Sequence, residues 1–391
     1  MILGPVSLLD CAAFCWYLAP QLFIQAGVCL TVTTVLQCLP FLLFHLPYDF
    51  FHNRYFVERG EQPPFFRDAS PFEDIVIRCV RFSFANISPQ VGKAFFSREV
   101  SLPFLKFRMW RHGMSQFGVH LHEHSEIEED GTKVRGIWIR HDPANEPDVC
   151  VYYIHGGGFA MGSPWFYLEF LIAWLHLLKE AGYGNPAIFA LEYTLVPVDC
   201  YPTQMKEAQA GYRHVVSTMG HRACKVCISG DSAGGSLALT FLLAGGDHWS
   251  NKIQSAILLS PWVAFNTPVH RNTTSDYLDV PSLRKYAQEY VGKWDPDDSA
   301  VAPMANRVSG VWRQAWPRRG ICVIYGSEEV FAPSIQIITA KWRAYKFPDI
   351  RSYEKRGGIH AWPVVALFLK NDTEERLEGL RLMVAEVKAT I

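Results

Sequence analysis

The chain has 391 residues, 37 Lys+Arg against 38 Asp+Glu, 49% hydrophobic residues and only 19% charged ones. That is enough chain for one large or two ordinary domains around a substantial core. The near-neutral balance excludes a charged disordered tail and leaves no basic excess to meet nucleic-acid phosphates.

From Cys11 to Phe44 there is no Asp, Glu, Lys or Arg. A helix needs only ~20 apolar residues to cross a bilayer. A cleaved signal peptide fits poorly, because the basic n-region is missing and the apolar stretch is too long. The expectation is a membrane-anchor segment over residues 1–46. Gln21–Phe44 suffices for one span, beginning at Pro20 and kinked near Pro40; a hairpin of two shorter segments is the variant. The soluble alternative is a greasy helix docked on the protein's own pocket. Arg54, Arg59 and Arg67 follow the segment and no Arg or Lys precedes it, which leans towards a cytosolic main domain. The glycosylation triplets at Asn86, Asn272 and Asn371 lean the other way. The membrane face stays open.

Residues 47–130 read as an irregular, aromatic N-terminal elaboration or cap. Within them, 97–114 mixes basic and bulky apolar residues. From about 133 the pattern changes. Strands are expected at Val134–Ile139, Asp148–Ile154, Ala187–Tyr193, Lys225–Ser229, Ser255–Leu259, Ile321–Tyr325 and Ile350–Tyr353. Helices are expected at about 164–181, 203–218, 233–244, 282–293, 333–346 and 374–389. The alternation predicts an α/β domain over 131–391, a mostly parallel sheet with helices on both faces, interrupted by a cap insertion at about 265–315. Cys224 and Cys227 form a CxxC pattern with no second pair to complete a zinc site, so core packing is expected.

Three motifs fall at strand ends. His155-Gly-Gly-Gly-Phe159 follows an apolar strand. Its glycines free backbone N–H groups to face a ligand, as an oxyanion hole requires. Gly230-Asp-Ser-Ala-Gly234 stands between a strand and an Ala/Leu-rich helix. That is the context of a nucleophile elbow, which projects Ser232 clear of the sheet. Gly357-Gly-Ile-His360 lies late in the chain. A serine needs a base to take its proton, and His360 is the candidate. A carboxylate should orient that His. Glu328 and Glu329, after the strand Ile321–Tyr325, are the candidates, with Glu329 preferred.

Together, HGGGF, GDSAGG, a strand followed by an acid and a late His resemble the hormone-sensitive-lipase-type α/β-hydrolases, the carboxylesterase branch with an HGGG box. Tyr193-Thr-Leu-Val-Pro197 and Tyr201-Pro202 are similar to that family's YxLxPExxxPA segment. The resemblance covers about residues 130–390. It implies an α/β-hydrolase fold with a helical cap, Ser232 as nucleophile, His360 as base and acid, and Gly156, Gly157 and Ala233 as oxyanion donors. Glu329 occupies the Asp position of the family's GxxDxL motif, with Phe331 for Leu. His155 and Asp231 are implied supports of the HGGG loop. With a membrane anchor in front, the chain resembles the membrane-bound members, among them fungal steryl acetyl hydrolases and arylacetamide deacetylases, and the endoplasmic reticulum is the expected membrane. The expected activity is cleavage of an apolar ester (a lipid, sterol or secondary metabolite) through an acyl-enzyme, with no cofactor and no metal. The competing readings are a non-hydrolytic biosynthetic step at the same site and a ligand-binding protein on a hydrolase scaffold. No protein partner is implied.

Overall fold

The computed structural model describes residues 2–114, 116–245, 253–306 and 309–391, without the side chains of His221, Ala223 and Cys224. Eight strands form one sheet: β1 (His120–Ile127), β2 (Lys133–Arg140), β3 (Val149–Ile154), β4 (Pro186–Leu191), β5 (Val226–Asp231), β6 (Ser255–Leu259), β7 (Ile321–Gly326) and β8 (Ile350–Lys355). Their order is β1-β2-β4-β3-β5-β6-β7-β8. The β1–β2 and β2–β4 pairs are antiparallel, and every pair from β4 to β8 is parallel.

Twelve helices of eight residues or more run along the described chain. They are α1 (Leu8–Gln21), α2 (Val28–Phe56), α3 (Pro71–Asn86), α4 (Pro89–Phe96), α5 (Arg98–Arg111), α6 (Leu168–Glu180), α7 (Thr203–Met219), α8 (Ser232–Gly245), α9 (Val280–Val291), α10 (Ala332–Ala344), α11 (Trp362–Leu369) and α12 (Thr373–Thr390). The central strands are buried on both faces, which is why they read as unbroken apolar runs. Their alternate residues feed two cores. Val149, Val151 and Tyr153 of β3 join α6 and α12 on one face. Cys150, Tyr152 and Ile154 join α7 and α8 on the other. Cys227 is buried in β5, while the side chain of Cys224 lies outside the described residues.

The N-terminal third departs from expectation in two ways. No single helix covers Gln21–Phe44. Gly27 stands at φ +82, a conformation that cannot continue an α-helix, and divides α1 from α2. Pro20 therefore lies inside the first helical stretch, which runs on as a π-helical segment over Leu22–Ala26, instead of opening a span. Pro40 lies inside α2, immediately before a π-helical turn at Phe41–His45 that absorbs its missing donor. Among the described residues α2 is the helix long and apolar enough to cross a membrane.

Residues 47–130 are also more regular than expected, forming α3, α4, α5 and β1. Ser70 and Glu73 make a capping box at the start of α3, with Pro71 at its first turn. The helical period is obscured because α3 turns Glu73, Asp74 and Arg78 inward. Asp74 and Arg78 pair with each other, so their burial is compensated.

Before α2, the chain is fastened to the rest of the molecule by charge. Ser7 caps α1 and Asp10 returns the bond. Asp10, fully buried, takes Arg108 at 3.0 Å and Arg111 at 2.6 Å from α5. Arg108 also grips Glu169 of α6 with two bonds of 2.8 Å. Burial would raise the Asp10 carboxyl, but Ser7, Arg111 and Arg108 outweigh it and hold it below its ordinary value. The carbonyl of Leu3 accepts from Arg376 of α12 at 2.8 Å.

Candidate active site

The middle of the parallel sheet places the serine. β5 ends at Asp231 and α8 begins at Ser232, which adopts φ +51. A non-glycine residue in this region is strained, and the surrounding packing holds it there. Gly234 makes the turn feasible: a Cβ there would stand 2.0 Å from the Ile154 carbonyl and 2.5 Å from that of His155. The elbow thus abuts the end of β3, where the HGGG loop starts.

Asp231 locks the two motifs together. Its carboxylate accepts from the Gly156 N–H at 2.9 Å, the Tyr153 hydroxyl at 2.7 Å and the Tyr167 hydroxyl at 2.7 Å. This corrects one expected role. The Gly156 amide is already engaged, so it has no free N–H for an oxyanion. Among the described residues, the Gly157 and Gly158 amides have no acceptor. Both have positive φ, and a Cβ on Gly158 would meet the ring of Tyr286 of α9 at 2.9 Å. Ala233 is in the first turn of α8, where a helix has no internal acceptor for its N–H. His155 stacks on Tyr193 at 4.3 Å, and its Nδ1 meets the Gly156 carbonyl at 2.8 Å. Burial pushes this imidazole down to about 4, so it is neutral and structural in placement.

The loops after β6, β7 and β8 converge on the same end of the sheet. Glu329 is buried, and its Oε2 accepts from the Ser260 hydroxyl at 2.6 Å and the Gly326 amide at 3.0 Å. The Ser260 hydroxyl in turn accepts from the Ala361 amide at 2.9 Å, next to His360. Two residues on, the Trp262 amide donates to the Ser232 carbonyl at 3.0 Å. The stretch 260–262 therefore touches the acid loop, the histidine loop and the serine elbow. Glu329 Oε1 and His360 Nδ1 are both buried without a partner. Glu328 is only half-buried, and its carboxylate accepts from the neighbouring Ser327 hydroxyl at 3.1 Å. Burial and then the nearby Asp276 carboxylate raise Glu329 well above its usual range. Burial alone lowers His360 to about 3.

Two residues of this site carried no visible signal in the sequence, Ser260 and Asp276. Asp276 is fully buried in the insertion before α9. Its carboxylate accepts the backbone N–H of His360 at 3.0 Å and that of Val330 at 2.8 Å. One side chain thus bridges the acid-bearing and histidine-bearing loops. Its own backbone carbonyl is held by Arg81 of α3 at 2.7 Å. Neither residue belongs to a local motif; only the sheet order brings β6, β7 and β8 side by side.

Among the described residues one trio, His124, Glu126 and His214, has ligand atoms close enough for a metal. Its imidazoles stack 3.7 Å apart and 20° from parallel, and a metal lying in one ring plane would miss the other. The trio lies at the β1 edge, away from Ser232.

Fold and site together define an α/β-hydrolase. The model of a family described as steryl acetyl hydrolase matches residues 65–375, and the chain belongs to that family. It is 29% identical over 198 residues to an acetyl-hydrolase of Streptomyces hygroscopicus, covering 49% of this chain and 60% of that protein. It is 27% identical over 219 residues to steryl acetyl hydrolase 1 of Saccharomyces cerevisiae, covering 51% and 49%. The chain thus matches about half to three fifths of these relatives' lengths. Among solved structures, the Pyrobaculum calidifontis esterase superposes with a TM-score of 0.65 at 19% identity, over 82% of this chain and 98% of that one.

Proposed function

We propose that this protein is a serine ester hydrolase that removes a small acyl group, acetyl first among candidates, from an apolar alcohol such as a sterol. His360 takes the proton of Ser232 as its oxygen attacks the ester carbonyl. The tetrahedral oxyanion is met by the amides of Gly157, Gly158 and Ala233. Collapse expels the alcohol, protonated by His360, and leaves an acyl-enzyme. Water, deprotonated by the same His360, then releases the acid and restores the serine. Glu329 orients His360 and stabilises its cation.

The observation that carries this reading is the Asp231–Gly156 bond, which seats the HGGG loop against the serine elbow. The acid assignment is supported by two complementary buried groups, Glu329 Oε1 and His360 Nδ1, each lacking a partner and each suited to the other. The acyl and alcohol classes follow the two relatives, an acetyl-hydrolase and a steryl acetyl hydrolase. Helix α2 and its exposed apolar side chains support attachment to a membrane, where apolar esters concentrate. The endoplasmic reticulum is the membrane we assign.

Labelling with a fluorophosphonate probe tests the mechanism. The wild type should label, and Ser232→Ala and His360→Ala should not. Turnover of an acetyl ester should fall ~10⁴-fold or more in Ser232→Ala. A folded wild type that neither labels nor hydrolyses such esters would sink the reading.

A further inference from the structure

The sequence alone offers Gln21–Phe44 as a span, with a hairpin and a docked helix as the alternatives. Within α2 the less exposed positions include Thr34, Cys38, Phe41, Leu46, Phe50 and Arg54, joined by Leu30 and Thr31 at the start and by Pro47, Asp49 and Asn53 beside the later ones. The first six recur once per turn, and the single five-residue step from Phe41 to Leu46 coincides with the π-helical turn there. One stripe of α2 therefore faces protein over most of its length. The partner of its second half is α3. Phe41 stacks on Phe82 at 4.1 Å, and Arg54 reaches Asp74 at 3.5 Å and the Ala69 carbonyl at 3.1 Å; Cys38 and Cys79, each three residues before a stacked Phe, are close enough to feel each other's charge. The two helices run antiparallel. At its start, α2 is tied back by Thr31, whose hydroxyl donates to the Leu22 carbonyl at 2.9 Å.

We infer that α2 lies in the plane of the membrane surface as part of the catalytic domain, and does not cross the bilayer. This rests on the membrane attachment proposed above and specifies its geometry. Standing α2 upright would carry α3 into hydrocarbon with it. A single crossing would also part the two ends of α2, which are fastened to the same domain, by Asp10, Arg108 and Glu169 before it and by Arg54–Asp74 and Arg81 after it. Helix α3 is also fixed to the catalytic loops through Arg81, so it cannot swing away without loosening them. The length agrees. Twenty-nine residues make a helix of roughly 43 Å, well beyond the ~30 Å of a hydrocarbon core.

The other sides of α2 suit lipid. Leu36 is 58% exposed and Leu43 61%. Exposed Tyr48, Tyr55 and Phe56 follow, residues that settle at the headgroup level. The apolar exposure continues back along the chain at Ile24 and Trp16. From Val28 to Phe44 the helix offers no charged side chain with which a second protein would set its register.

The test uses the full-length chain on phosphatidylcholine vesicles. Three results are expected. A short bismaleimide should link Cys38 to Cys79 in the vesicle-bound protein, and Cys79→Ser should abolish that link. Tags at both chain ends should be digested by protease added outside. The double variant Leu36→Glu, Leu43→Glu should bind vesicles at least about tenfold less in flotation, while turnover of a short soluble ester is unchanged. Ends on opposite sides would mean one span, and a Cys38–Cys79 link lost on binding would mean an inserted hairpin. Either outcome overturns the in-plane geometry, as does a double variant that floats like the wild type. A wild type that stays off vesicles would remove the attachment itself, and fluorophosphonate labelling of Ser232 would still report separately on the hydrolase.

Discussion

The sheet domain and the N-terminal helices are held in place by different physics. In the sheet domain the site is specified by backbone demands: glycines at Gly157, Gly158 and Gly234 where a Cβ would collide, and a serine at positive φ where strand meets helix. In the N-terminal third the positions are set by long-range charge. Asp10, Arg108 and Glu169 belong to three different helices and meet in a buried cluster. Backbone-specified features leave short motifs in a sequence. Charge-specified features do not, since each partner alone looks like an ordinary surface residue. The two regions meet at Arg81 and Asp276, where α3 reaches the loops carrying the acid and the histidine.

Four measurements would sharpen or break that division. The largest effect is expected at Glu329. Glu329→Gln should lower kcat by roughly 10³- to 10⁴-fold, because a neutral amide cannot stabilise the imidazolium. Glu328→Gln should cost little, and the reverse order would move the acid to Glu328. Next, Arg108→Ala leaves Glu169 buried without its cation. It should destabilise the fold by ~3–5 kcal/mol in chemical unfolding monitored in detergent. Arg111→Ala, at a more exposed site, should cost clearly less, and equal losses would argue against the buried cluster as the fastening point. Third, Asp276→Asn replaces one of two acceptors by a donor that faces a backbone N–H. We expect kcat to fall about ten- to hundredfold with KM little changed, and Asp276→Glu to recover less than the wild type. A change in KM alone would make Asp276 a substrate-side residue. The smallest effect is in pH. His360 must be neutral to accept the serine proton, and burial lowers it to about 3. As pH falls through the 6.5 of an ordinary imidazole, His360 in the free enzyme keeps its neutral form. The acid limb of kcat/KM should therefore lie below 6.5. A limb at or above 6.5 would show that burial does not set the titration of His360 in the free enzyme.

Legibility followed the same division. All seven strands expected from residue 133 onward are present, with ends shifted by a residue or two. The antiparallel β1 was missed because it is an edge strand with polar residues on both faces. Helix α3 was missed because it buries ionic groups on its inner side. At the site, the serine, the histidine and the loop glycines were visible as motifs. The engagement of Gly156 by Asp231, and hence the freedom of Gly158, was not. A hydrogen bond between residues 75 apart leaves no spacing to read.

By itself the sequence determined the alternation of strands and helices, the serine elbow and the glycine loop, because these depend on neighbouring residues and on the absence of a Cβ. Only the tertiary structure decided which amides are free, that Asp276 and Ser260 join the acid and histidine loops, and that α2 lies along α3. Those facts depend on which segments the sheet and the buried charges bring together, and no local pattern encodes that choice.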